Sequence, residues 1–554
     1  VRLVVVGGVA GGMSAAARAR RLSEDADIIV LERGGEVSFA NCGLPYFVGG
    51  EIQDEAQLLV QTPAGLRASL GIDVRVNTDV VALDPSARTL TISDENGRSQ
   101  LTYDHLILSP GASAIRPPLA GLDSPRVHTL RTVPDAVALK AATRGAATAV
   151  VLGAGFIGLE AAEALQARGI RTSVVELAPH VLPPLEAEMA QLVRDELLRL
   201  GIDVRDGVSA TSVEKGAQND VVILSDGTRI SADIIVLSVG VRPDTLLWEQ
   251  AGVSCERGAI LTDEMGHTSV EGIWAVGDAT ASADLVTGAR RPVALAGPAN
   301  RAGRLVADAI MGRRGHALPS LAGTAIVRVG ELTVALTGAN RRALDDAGLE
   351  YHTVHLHPLN HAGYFPGASQ IHLLLHFGSD GRVLGAQAIG NDGVDKRIDV
   401  LSVAIKAGFT VRDLVDLDLA YSPPYGSAKD PVNMAGMMAC NVLDGTLTLW
   451  HASDIDDVLA TALVLDVRSA AEVAEGSLPG VLNIPHTELR DRMGEVREAA
   501  DGRPVRVLCA SGVRSYLAQR QLVHAGFDAA NLSGGMLTLI AGLGARASQL
   551  ITTN

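Results

Sequence analysis

Two of the four cysteines in this chain stand where chemistry explains them better than packing does. Cys42 lies in Ser38-Phe39-Ala40-Asn41-Cys42-Gly43-Leu44-Pro45-Tyr46, just past a strand–glycine–helix pattern. Cys509 opens Cys509-Ala510-Ser511-Gly512-Val513-Arg514-Ser515 at the end of an apolar strand. Neither has a second cysteine nearby, so a reactive thiol at either place must pass through a mixed disulfide, a persulfide or a sulfenic acid. The competing reading is a buried small hydrophobe, the common fate of a free cysteine. The polar neighbours Ser38 and Asn41 and the Gly43 turn weigh against it for Cys42. After Cys509 a tight loop supplies backbone N–H groups, with Gly512 letting it curl and Arg514 adding charge where a helix begins. Such a cradle stabilises a thiolate and then a terminal persulfide anion. Cys255 and Cys440 have no constellation around them and read as structural. His355, His357 and His361 fall on an alternating strand and its exit without a carboxylate pattern, and read as exposed or packing residues, not metal ligands.

The elements that must position these thiols are two copies of one grammar. A strand, Arg2 to Val6, runs through Gly7-Gly8-Val9-Ala10-Gly11-Gly12 into an Ala-rich helix, Met13 to Leu22, and a second strand ending at Glu32. The pattern returns with Ala149 to Leu152, then Gly153-Ala154-Gly155-Phe156-Ile157-Gly158, a helix, and a strand ending at Glu176. Such glycines let backbone approach a pyrophosphate at a helix N-terminus, and an acid about twenty residues on accepts a ribose 2′-OH. The first copy departs from the pattern at Val9. After Glu176 come Leu177, Ala178 and Pro179, with no arginine to meet a 2′-phosphate, which favours NADH over NADPH.

Bulk properties agree. A chain of 554 residues is too long for one core and holds three or four domains at ~150 residues each. Its residues are 47% hydrophobic but 3% aromatic, which suits an α/β protein with Val/Ile/Leu-rich buried parallel strands. A net charge of −16 argues against general nucleic-acid binding. No apolar run reaches the ~18–20 residues of a membrane helix, and the opening strand is too short for a secretory signal. The cysteines are too scattered for a zinc site or disulfide framework. The expectation is a cytoplasmic protein with reduced thiols, no metal and no membrane or nucleic-acid partner.

The paired folds, the turn Ser109-Pro110-Gly111-Ala112 and the strand end Val276-Gly277-Asp278-Ala279 resemble the flavin-dependent pyridine nucleotide–disulfide oxidoreductases. The resemblance spans roughly residues 1–440. It implies an FAD-binding domain over 1–112 and 244–323, an NADH-binding domain over 113–243 and an α+β dimerisation domain over 324–441. FAD would meet Gly7, Gly8, Ala10, Gly11, Gly12, Glu32, Arg33, Asn41, Cys42, Ser109, Pro110, Gly111, Gly277, Asp278, Ala294, Leu295 and Ala296. NADH would meet Gly153, Gly155, Phe156, Ile157, Gly158, Glu176 and Gly240.

Many members of that family carry a second cysteine a few residues after the first, and here Gly43-Leu44-Pro45-Tyr46-Phe47 supplies none. The single-cysteine branch includes NADH oxidases, NADH peroxidases and coenzyme A-disulfide reductases. The oxidases and peroxidases typically place a histidine where Ala10 stands, which counts against peroxide chemistry here. The glycine turn, the basic helix Arg18-Ala19-Arg20-Arg21 and the Cys42 segment are similar to the coenzyme A-disulfide reductases. That likeness implies CoA contacts at Arg18, Arg21, Ser38, Asn41, Arg67, Asn300 and Arg301, although a basic helix run is otherwise a solvated face. It also implies that Tyr364 and Tyr421, with Tyr425 in reserve, reach the active cysteine of a partner subunit in a homodimer.

Beyond a linker at 442–452, Leu463-Val464-Leu465-Asp466-Val467-Arg468, Leu478 to Pro485 and the Cys509 loop resemble a rhodanese domain over 453–554, with Ser477 where rhodaneses often carry histidine. Ser511, Gly512, Val513 and Arg514 would form the sulfur-holding loop. The expected function is an FAD-dependent NADH reductase of persulfides, polysulfides and CoA disulfides fused to a sulfurtransferase. The alternatives are CoA-disulfide reduction for thiol homeostasis, NADH oxidase or peroxidase activity, and a flavin-bound redox sensor using the rhodanese for docking.

Overall fold

The computed structural model of the protein describes residues 1–313 and 316–552. Residues 314–315 of the expected FAD segment and the last two of the expected rhodanese segment lie outside that description. The chain falls into two compact units, one made of residues 1–179, 200–284 and 288–323, the other of 180–199, 285–287 and 324–554.

The first unit contains two five-stranded parallel sheets. One runs in the order Ile273–Ala275, His105–Leu108, Arg2–Val6, Asp27–Leu31, Asp73–Arg75. The other runs Asp203–Asp206, Arg171–Glu176, Thr148–Leu152, Ile234–Leu237, Val127–His128. The central strands are buried along almost their whole length, as parallel strands covered on both faces must be. Each sheet carries a three-stranded antiparallel meander, Asp79–Asp84 to Gly97–Thr102 in one and Ala210–Glu214 to Arg229–Ala232 in the other. The chain passes between the two folds at an antiparallel ribbon, Ala112–Ala114 against Val241–Pro243.

The first helix begins at Ala10, one turn earlier than the expected Met13, so Gly11 and Gly12 are helical. Their lack of a side chain is what lets the helix sit on its own strand: a Cβ on Gly12 would lie 2.0 Å from the Gly7 carbonyl oxygen. Gly158, in the helix Phe156–Ala167, stands in the same relation to the Gly153 carbonyl oxygen, again at 2.0 Å.

The second unit holds a five-stranded antiparallel sheet ordered Ala325–Val329, Leu332–Gly338, Val383–Gly390, Ile371–Phe377, His352–Leu356. Its apolar face packs on the helices Val394–Ala407 and Pro431–Leu443. A separate parallel sheet follows, ordered Leu449–Trp450, Ala529–Leu532, Val505–Leu508, Leu463–Asp466, Leu482–Asn483. The expected linker at 442–452 is thereby corrected. Its first residues finish the helix Pro431–Leu443, and Leu449–Trp450 is an edge strand paired with Asn531 and Leu532. Trp450 is buried and donates its indole N–H to the Val507 carbonyl at 3.3 Å, so it is core, not connector. Residues 180–199, expected within 113–243, group with the second unit, where Glu186 and Glu188 pair with Arg341.

Candidate active sites

In both dinucleotide folds the acid at the end of the second strand clamps the glycine turn. Glu32 accepts the N–H of Gly8 and of Gly34, each at 2.8 Å. Glu176 accepts the N–H of Ala154 at 2.6 Å and of Ala178 at 2.8 Å. The carboxylates therefore fix the turns, with oxygen lone pairs left over for a ribose. Ser238 closes the second turn, donating to the carbonyls of Leu152 and Gly153. Gly153, Gly155, Phe156, Ile157 and Gly158 form the strand–helix turn, while Leu177 is exposed beside Glu176.

The first turn opens into a cavity of about 440 Å³ whose wall includes Gly7, Val9, Ala10, Gly11, Glu32, Arg33, Asn41, Ser109, Pro110, Gly111, Gly277 and Asp278. Most of the residues expected at FAD are thus brought to one place. Gly8, Gly12 and Cys42 are not part of that wall, and neither are Ala294, Leu295 and Ala296, which lead into the helix Ala296–Ile310, whose Ala299 lines it instead. Arg33 pairs with Asp244, which also accepts from Ser113 at 2.8 Å. Asp278 is held by Arg131 at 2.7 Å. The buried Oδ1 of Asn41 has no hydrogen-bond partner within the protein. A glycine-walled cavity with a clamped acid and an unsatisfied acceptor on its rim fits a flavin dinucleotide.

Cys42 follows Asn41 directly, in a short 3₁₀ turn, Asn41–Gly43, that leads into the helix Leu44–Gly49. The chain enters this turn through Ser38, whose left-handed φ of 48° is uncommon for a side-chain-bearing residue. The thiol is open to solvent. Partial desolvation lifts its pKa above the ordinary thiol value, the Glu160 and Asp278 carboxylates add to the rise, and Arg131 opposes it.

The basic helix divides its labour. Arg20 is buried and caps the carbonyls of Leu70, Gly71, Ser23 and Glu24. Arg18 is tied to Asp308 at 2.7 Å, and Arg21 is exposed. Asn300 accepts from Ser14 at 2.7 Å, Arg67 pairs with Asp73 at 2.6 Å, and Arg301 lines a separate cavity. Tyr364 and Tyr421 share a hydrogen bond of 3.1 Å, and both rings, like Tyr425, are solvent-exposed. That bond lifts the Tyr364 phenol above its ordinary pKa.

In the second unit the Cys509 sulfur is completely buried and receives two hydrogen bonds of 3.2 Å, from the Gly512 N–H and the Ser515 hydroxyl. Ser511 and Gly512 lead into the helix Val513–His524, whose Arg514 is gripped by Glu472. Among the described residues no group of three His, Cys, Asp or Glu side chains is set to hold a metal, and no helix is long and apolar enough to cross a membrane.

A family model described as pyridine nucleotide-disulphide oxidoreductase matches residues 1–296. The chain belongs to that family. Its dimerisation-domain model matches residues 324–431, and a rhodanese-like domain matches 448–539, which agrees with the edge strand at Leu449. A coenzyme A disulfide reductase from Staphylococcus haemolyticus is 34% identical over 444 residues, covering 79% of this chain and 99% of that one. The crystal structure of reduced Bacillus anthracis CoADR-RHD superposes with a TM-score of 0.96 at 40% identity, covering 100% of this chain and 99% of that one. An NAD-dependent persulfide reductase from A. fulgidus has a TM-score of 0.92 at 37% identity, over 97% of this chain and 100% of that one. As a pyridine nucleotide-disulphide oxidoreductase, the chain uses a flavin and a pyridine nucleotide. Arg131, Glu160 and Glu472 are the site residues that sequence reasoning missed. Each reaches its site from a distant segment, and no local spacing marks it.

Proposed function

We propose that the protein is an FAD-dependent, NADH-driven reductase of CoA persulfide, polysulfide and CoA disulfide, with a rhodanese sulfur-loading centre in the same chain. The observation that carries this reading is a lone cysteine at an exposed position, Cys42, one residue beyond the Asn41 that lines the glycine-walled cavity. Glu32, Asn41, the Ser109-Pro110-Gly111 turn and Asp278 would hold FAD, and Glu176 with the Gly153–Gly158 turn would hold NADH. The chemistry supplied by a bound flavin is passage of an electron pair from reduced nicotinamide to sulfur.

With no second cysteine, Cys42 must bond to the substrate's own sulfur. Its thiolate attacks the outer sulfur of a CoA persulfide, the S–S bond breaks, and CoA thiolate leaves and takes a proton. The Cys42 persulfide then accepts two electrons and releases hydrosulfide. Attack on the inner sulfur would instead release hydrosulfide first and leave a Cys42–CoA disulfide, whose reduction returns CoA thiol. Of the basic residues expected at CoA, the exposed Arg21 is the group best placed to meet its phosphates, since Arg18 and Arg67 are already paired and Arg301 lines a separate cavity. In a homodimer, Tyr364 and Tyr421 would come to the partner subunit's Cys42 and protonate the departing thiolate. Cys509, held by the Gly512 N–H and Ser515, would take sulfane sulfur from a donor and hand it to CoA.

The test is NADH turnover measured side by side with CoA persulfide, CoA disulfide, polysulfide, oxygen and peroxide. The reading expects the sulfur substrates to be fastest. Oxygen or peroxide as the best acceptor would replace it with the oxidase reading, which Ala10 disfavours.

A further inference from the structure

The Cys509 loop leans on the turn Ser533-Gly534-Gly535. Met536 donates its N–H to the Cys509 carbonyl at 2.9 Å, Leu537 donates to the Ala510 carbonyl at 3.0 Å, and Asn531 donates to the Gly512 carbonyl at 3.1 Å. The contact is close enough to demand glycine: a Cβ on Gly535 would lie 2.5 Å from the Cys509 carbonyl oxygen. On its other side the same turn presses on the antiparallel sheet, where a Cβ on Gly534 would lie 2.8 Å from Cβ of His355.

That second contact is polar and buried. Ser533 Oγ accepts the His355 backbone N–H at 3.1 Å and lies 2.8 Å from His355 Nδ1. His355 Nε2 lies 2.8 Å from Glu188 Oε1. One hydrogen pattern satisfies all of these atoms: the Ser533 hydroxyl donates to Nδ1, and Nε2–H donates to Glu188. Arg341 holds Glu188 from the other side, with the nitrogen 2.5 Å away, and the His451 ring stands 6.0 Å from that of His355. A parallel link joins Thr538 Oγ1 to His357 Nε2 at 2.9 Å.

We propose that His355, a residue of the antiparallel dimerisation sheet, is a positioning residue for the sulfurtransferase centre. It seats Ser533, and through Gly534 and Gly535 fixes the backbone that carries Cys509. The proposal rests on the reading of Cys509 as a sulfur carrier, but its geometry can be tested apart from that reading. Cys42 and its cavity belong to the other unit.

The experiment uses the full chain with its flavin and the variants His355→Ala, His355→Asn and Ser533→Ala. Two quantities are read: thiosulfate sulfurtransfer, and the pH profile of Cys509 alkylation by iodoacetamide followed by mass spectrometry. His355→Ala is expected to slow sulfurtransfer about tenfold, because small displacements of a reacting group are costly, and to move the alkylation profile. Asparagine keeps an acceptor for the Ser533 hydroxyl, so His355→Asn should recover most of both. Ser533→Ala, a small change that tolerates folding, should behave like His355→Ala. NADH-driven CoA-disulfide reduction should persist in all three. Wild-type alkylation profiles in His355→Ala and Ser533→Ala would overturn the proposal, as would equal loss of both activities. Absence of sulfurtransfer in the unmodified chain would instead sink the carrier reading, while the alkylation profile still decides the seat.

Discussion

Glu472 grips Arg514 with both carboxylate oxygens, at 2.8 and 2.6 Å, across 42 positions of sequence. The hydrogen bonds from Arg514, with those from Ser469, hold the Glu472 carboxyl at about 2. A forked guanidinium is needed for such a grip, and lysine cannot reproduce it. Arg514→Lys should therefore lower thiosulfate sulfurtransfer about tenfold, as expected when a loop loses its anchoring fork, with NADH-driven reduction untouched. Equal rates in the variant and the parent would show that the fork does not order the loop.

The unsatisfied Asn41 Oδ1 gives a second prediction. A buried acceptor without a partner costs about 1–3 kcal/mol, and a ligand that supplies the donor recovers it. Asn41→Ala should weaken flavin retention by roughly tenfold, the worth of one such bond. Equilibrium dialysis of the apoprotein against FAD measures it.

A methyl group tests the second glycine turn. Gly158→Ala places a carbon 2.0 Å from the Gly153 carbonyl oxygen and 2.8 Å from Ser238 Oγ. Relief requires the helix to move off its strand, at a cost of about 1–3 kcal/mol. Flavin should remain bound, while the KM for NADH rises steeply and the Tm falls. An unchanged KM would separate this turn from the nicotinamide nucleotide.

Acid should loosen the second unit. Burial, followed by the neighbouring His372, pushes His357 down to about 3, and burial pushes His451 down to about 4. Both are therefore neutral when folded and protonate near their ordinary value of 6.5 when unfolded. Their stabilising contribution is complete above pH 6.5 and is lost as pH falls toward the folded values, at about 1.4 kcal/mol per pH unit per group. Glu188 acts in the same direction lower down. Burial opposes its charge, but His355 and Arg341 hold it far below the usual carboxylate range, so its contribution is lost below about 4.5. Urea midpoints of the second unit's transition between pH 7.5 and 4 should fall, and His357→Asn should flatten the slope.

What could be read in advance follows the range of the interaction. The glycine turns, the clamping Glu32 and Glu176, and the Cys509 loop are local patterns, legible because a strand, a turn and a helix lie within one stretch of chain. Arg131, Glu160 and Glu472 act across dozens of positions or more, where no spacing rule reaches. The stretch around Trp450 looked like a connector because a two-residue edge strand has no periodicity of its own. His355 and His357 looked idle because their partners, Glu188, Ser533 and Thr538, come from three other segments. The ion pair of Arg18 with Asp308 is likewise invisible without the helix packing.

The role of Cys42 is decided by NADH oxidation with CoA persulfide in the Cys42→Ser and Cys509→Ser chains, each with flavin bound. Cys42→Ser should show no turnover above background, while Cys509→Ser keeps the parent rate. Persulfide-dependent NADH oxidation surviving in Cys42→Ser would show that Cys42 does not carry the sulfur.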